Sequence, residues 1–170
     1  MPLACKWKDL ILPVTSVGPG GTTPSPTTLI GNIQCYGFQT GDLIQGSFEI
    51  QHDYIEGTDL NVHIHWAPTT TNVGVIVFDF EYSVANVGSV YPASIVISQT
   101  FTPPGVALQH TISAFTTTIP GAGRKIGDVV SFRFLRNATG NAFTGLALVT
   151  SIGVHYQCDC LGSNQIATKN

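Results

Sequence analysis

His63 and His65 stand two residues apart in Asn61-Val62-His63-Ile64-His65-Trp66, a stretch that alternates apolar and polar with period two. On a strand this spacing puts both imidazoles on one side, ~7 Å apart along the backbone, where both can bind one metal ion. A third ligand has to come from a distant part of the chain, and His155 is the obvious candidate. A metal motif that opens in this way wants a Glu a few residues after the second His, and here those positions hold Pro68, Thr69, Thr70 and Thr71. Imidazoles hydrogen-bonded at a sheet surface or a subunit contact explain the pair with no metal at all. His63, His65 and His155 are therefore the metal candidates, while no metal, cofactor or catalytic residue is expected.

Other chemistry-bearing residues are weaker. Asp79 and Glu81 share a strand face, as paired glycosidase carboxylates would, but adjacent acids on a solvated face need no chemistry. Asp53, Glu56 and Asp59 surround Gly57, a loop composition that can wrap calcium without matching the EF-hand spacing. His52 and His110 fall on apolar faces and read as core or near-core histidines. Cys158-Asp159-Cys160 offers two thiolates beside His155, with a spacer one residue shorter than structural zinc sites use. Cys5, Cys35, Cys158 and Cys160 are expected to be reduced, partly buried thiols. There is no nucleophile elbow, phosphate-binding Gly loop or dinucleotide fingerprint. Asn137-Ala138-Thr139 fits a glycosylation acceptor but is read as accidental.

The elements that must position these residues are strands. The His strand is followed by Ala67 to Gly74, a turn-rich connection, and by Val75 to Tyr82, with Ile76, Phe78, Phe80 and Tyr82 on one face. The two runs read as the central hairpin of a β-sandwich. Further runs are Leu29 to Phe38, Leu43 to His52, Ile95 to Phe101, Leu108 to Ile112, Val129 to Arg136 and Leu146 to Cys158. In the last, Leu146, Leu148, Ile152, Val154 and Tyr156 line one face, yet Ala147 and Val149 opposite are apolar too. That two-sided strand calls for cover by a loop, the N-terminal segment or another subunit. No window shows a helical period. The fold class is all-β, a two-sheet antiparallel sandwich, foremost a jelly roll with an immunoglobulin-like sandwich behind it. Residues 1–28 form an extended N-terminal arm and Gly/Pro-rich loop that folds back or reaches onto a neighbour; residues 29–170 form the sandwich domain.

At 170 residues one domain is expected, long enough to stand without disulfides. Only 10% of residues are charged, so the polar surface comes from Thr, Ser, Asn and Gln and can pack on a partner at little desolvation cost. A net charge of -3 with scattered Lys and Arg argues against nucleic acid. No apolar run approaches the ~20 residues that cross a bilayer, and the N-terminus lacks signal-peptide order, so no membrane partner is expected.

The motifs His52-Asp53-Tyr54, Glu56-Gly57-Thr58-Asp59-Leu60, His63-Ile64-His65-Trp66-Ala67-Pro68 and Phe80-Glu81-Tyr82, with Val154-His155-Tyr156-Gln157 through Leu161-Gly162-Ser163, give the chain a family likeness. It resembles poorly characterised structural proteins of tailed bacteriophages, from about Gly46 to Ser163. Cys158 and Cys160 depart from that pattern, and no role is carried to them. The resemblance implies a virion component made in the host cytoplasm, and not an enzyme. The expected role is a capsid decoration (cement) protein, homotrimeric, bound to the major capsid protein. The alternatives are a receptor- or glycan-binding module of a head or tail fibre, with Tyr54, Tyr91 and Phe143 as loop-borne aromatics, and a cupin-like metal enzyme in which His63, His65 and a third ligand meet in a pocket.

Overall fold

The computed structural model describes residues 6–14, 18–19, 21–159 and 162–169. These residues form eleven strands: β1 (Lys6–Pro13), β2 (Gly18–Pro19), β3 (Ser25–Ile30), β4 (Ile33–Phe38), β5 (Leu43–Glu49), β6 (Asn61–Pro68), β7 (Ile76–Ala85), β8 (Ile95–Phe101), β9 (Thr111–Ala114), β10 (Val129–Arg136) and β11 (Ala147–Cys158). They pair antiparallel in two sheets. The first runs β3-β4-β11-β6-β9, with β1 also on β11, and the second runs β2-β5-β10-β7-β8. From β4 to β11 the chain changes sheet at every link except the β7–β8 hairpin. Two four-stranded sheets interleaved in that way are a jelly roll, which sets the immunoglobulin-like alternative aside. No helix among the described residues is long and apolar enough to cross a membrane.

The core lies between the sheets, filled by the alternate residues that each strand turns inward. On β7 and β10, Phe78 stacks on Phe134 (centroids 4.9 Å) and Phe80 on Phe132 (5.3 Å). Trp66 and Phe38 of the first sheet meet those rings edge-on, at 6.2 Å from Phe78 and 5.6 Å from Phe134. Burying each such ring contributes roughly 1.5–3 kcal/mol.

The expected central hairpin is corrected by this packing. β6 pairs with β11 and β9, while β7 pairs with β10 and β8. The connection from Thr69 to Val75 therefore carries the chain across the sandwich. Both strands bury the apolar face the alternation assigned them, but they face each other through Trp66 and Phe78 and share no ladder.

β11 corrects a second reading. Its register shifts between Val149 and Ser151, a β-bulge that inserts one residue and reverses the side-chain parity. Ala147 and Val149 point into the core with Ile152, Val154 and Tyr156, whereas Leu148 points out and packs with Cys35, Ala67, Leu29 and Leu146. The two-sided strand is one inward face with a phase change, and its outward Leu148 is covered by the chain's own β3 and β4.

The N-terminal segment folds back within the chain over Lys6–Pro13, where β1 pairs with β11 from Lys6 opposite Cys158 to Pro13 opposite Ser151. Leu10 and Leu12 pack against the core. The boundary drawn after residue 28 falls inside β3, and Gly31, at φ 55°, makes the turn that splits the expected Leu29–Phe38 run into β3 and β4. Cys35 and Cys158 are buried thiols, and Cys158 donates to the Lys6 carbonyl at 2.9 Å. Cys5 and Cys160 lie outside the described residues.

Candidate functional site

The outer face of the first sheet carries a row of imidazoles. Along β6, His63 and His65 both point away from the core, as their alternation with Val62, Ile64 and Trp66 requires. On β11 the outward residues after the bulge are Ser151, Gly153 and His155, and on β1 they are Trp7, Asp9 and Ile11. The register then decides the neighbours: Asp9 lies opposite His155, and Gly153 lies opposite both Ile11 and His63.

Gly153 is what lets the row close. A Cβ at that position would stand 2.1 Å from His63 Nε2, so the His63 ring lies flat across the strand where a side chain would otherwise be. From there it reaches His155, with centroids 4.5 Å apart, and its Nε2 stands 3.6 Å from Asp9 Oδ2. His155 Nε2 is 3.0 Å from the same oxygen. His65 sits edge-on to His63 at 5.1 Å and makes a 3.0 Å hydrogen bond from Nδ1 to His110 Nε2, the two rings stacked at 5.2 Å. One of that pair must donate and the other accept, so the two cannot both be protonated while bonded.

The electrostatics favour neutral rings at His63 and His65. Burial pulls the His63 imidazole below its usual range, against Asp9, which pushes the other way, and with help from His155 and His65. Burial and then His110 do the same to His65. His63 is only 3% exposed, and its Nδ1 has no hydrogen-bond partner among the described residues. An unpaired buried polar atom of this kind costs about 1–3 kcal/mol.

The structure thus brings together His63, His65 and His155, the three sequence candidates, on an open sheet surface. It adds Asp9, which the sequence reading passed over, and His110, which that reading placed in or near the core. Asp9 was hidden because the N-terminal segment was read for its apolar residues. As a strand, the alternation Trp7, Asp9, Ile11 against Lys8, Leu10, Leu12 would have put Asp9 outward. His110 is exposed on the same outer row, not near the core, and His52 is a loop residue bonded to the Ser163 carbonyl at 3.0 Å.

The other candidates are absorbed by structure. Glu81 pairs with Arg133 (2.6 Å) and accepts from Ser94, while Asp79 is buried and accepts from Asn137 at 2.6 Å. Asp53 takes Lys8 and the Tyr156 hydroxyl, Asp59 takes Thr118 and the Gly121 amide, and Glu56 takes the Ile126 amide. No common centre is left for calcium among them. Cys158 faces the core and His155 the opposite side, so they cannot share an ion.

Comparison with known proteins bears on the fold. No protein-family model and no curated protein matches the chain. Among solved structures it is similar to the CBM36-1 domain of a multidomain xylanase from the hindgut metagenome of Trinervitermes trinervoides, with TM-score 0.54 and 10% identity over 86% of this chain and 96% of that one. The likeness is one of fold. A family 35 carbohydrate binding module from an environmental isolate aligns at TM-score 0.48 and 12% identity, over 95% of this chain and 97% of that one. The infectious bursal disease virus VP2 subviral particle aligns at TM-score 0.43 and 11% identity, over 90% of this chain and 33% of that one.

Proposed function

We propose that this chain is a structural protein of a tailed-phage virion, a capsid decoration (cement) protein that binds the lattice of the major capsid protein as a homotrimer. The observation that carries the reading is the outer surface of the first sheet. Trp7, Ile11, Leu108 and Ile112 are there between 45% and 58% exposed. Large apolar side chains left in water along a lightly charged face suit a surface that works by being covered. The interior, where a metal enzyme would need its pocket, is packed with Trp66, Phe78, Phe134 and Phe143, and the imidazoles sit on the opposite side of the sheet.

A carbohydrate-binding role is the second reading, favoured by the fold likeness to the CBM36-1 domain. It asks for exposed rings grouped on loop tips. Tyr54 and Phe143 are buried, Tyr54 donating to the Thr58 carbonyl, and only Tyr91 of the three expected rings is exposed. Adhesion to protein is therefore the stronger reading. Purified chain added to phage shells that lack it should bind saturably and raise the temperature at which they open. Trp7→Ser with Ile112→Ser should weaken that binding in a folded protein. Failure of the parent chain to bind shells, together with saturable binding to an oligosaccharide, would replace the first reading with the second.

A further inference from the structure

We propose that Asp9, His63 and His155 form a binding site for a divalent transition-metal ion on the outer face of the first sheet. One ligand atom from each residue lies within 4.8 Å of the other two. Two imidazoles and a carboxylate are the donor set that first-row ions such as zinc and cobalt prefer, and three protein ligands leave the remaining positions for water. The second observation is how His63 is held. It is a buried ring with Nδ1 unpartnered, and its Nε2 is too far from Asp9 Oδ2, at 3.6 Å, for a good hydrogen bond. The protein keeps this polar ring there by leaving position 153 without a side chain. An ion between Asp9 and His155 would give His63 Nε2, which has only the distant Asp9 carboxylate beside it, a close partner.

The three residues come from three adjacent strands, β1, β11 and β6, so the bound ion ties the N-terminal strand to the middle of the sheet. This site lies on the face that the proposed partner would cover, beside Trp7 and Ile11, but ion binding to the free chain does not depend on that adhesion. It differs from the pocket foreseen in the enzyme alternative, since it lies on the outer face and takes Asp9 in place of His65.

The test is a titration of chelator-treated protein with cobalt, read by its visible absorption, and with zinc by competition. One ion per chain should bind, and zinc should move the imidazole resonances of His63 and His155 and leave those of His52 in place. Asp9→Asn and His155→Ala, both outside the core, should each weaken binding about tenfold or more. His110→Ala should leave it within about twofold, because that ring bonds His65 and none of the three ligands. Gly153→Ala should abolish binding by expelling His63. No saturable binding of either ion to the folded parent protein would overturn the proposal, as would unchanged affinity in Asp9→Asn and His155→Ala.

Discussion

Arg136 shows how a residue on a core strand is spent. It ends β10, is 2% exposed, and its guanidinium donates to the carbonyls of Phe38 (2.7 Å) and Gly145 (2.6 Å) and to that of Phe143. Burial pulls its pKa down to about 10, against Asp42, which pushes it up, so the group stays charged at neutral pH. Arg136→Leu removes the guanidinium donors from these carbonyls, leaving that of Phe143 with Asn141 Nδ2, and should cost about 3–5 kcal/mol, read from the urea midpoint. Asp59 acts on the pH axis. Hydrogen bonds from the Gly121 amide and Thr118 hold its carboxyl below the usual range. Its stabilisation is then fully present above the unfolded carboxylate range and is lost as pH falls through the lower folded value. Urea midpoints of the parent and Asp59→Asn should differ at pH 7 and converge in acid below about pH 4; a gap that widens in acid would refute the assignment. At this scale the sequence made three of the six outer-face residues legible, because His63, His65 and His155 are chemically conspicuous, while His110 was read as near the core. Asp9 and Gly153 were not, since their roles follow from a strand register that no local pattern displays.

The strands themselves were legible where one face is apolar and the other polar. Each of the eight jelly-roll strands was anticipated within a few residues, as Val130, Phe132 and Phe134 against Ser131 and Arg133 illustrate. What failed was partnership. Alternation says which face is buried but not which strand lies alongside, so β6 and β7 read as a hairpin when they oppose each other across the core. The bulge at Thr150 was equally silent, and it made β11 look apolar on both sides. That extra residue now gives a decisive variant. Deleting Thr150 sets Val149 and Ser151 side by side opposite Trp66 and His65, and leaves Ala147, Val149, Ile152 and Val154 inward in one unbroken alternation. The variant should therefore keep cooperative unfolding, seen by circular dichroism during a urea titration. Loss of the cooperative transition would contradict this account of β11.

For the whole molecule, the fold class followed from composition and spacing, and the interleaved sheets gave it a topology. The proposed role is less legible, because adhesion leaves no motif: it rests on apolar side chains such as Trp7 and Ile112 whose exposure only the fold can establish. With a net charge of -3 and 10% charged residues, attachment should rest on buried area. Shell affinity should therefore change little between low salt and several hundred millimolar, where the Debye length falls to about a few ångströms and charge-steered complexes weaken. The most direct measurement is electron microscopy of intact virions carrying a labelled copy of this chain. The account predicts labels at regular, symmetry-related positions over the capsid surface. Labels confined to the tail, or absent from the particle, would contradict it.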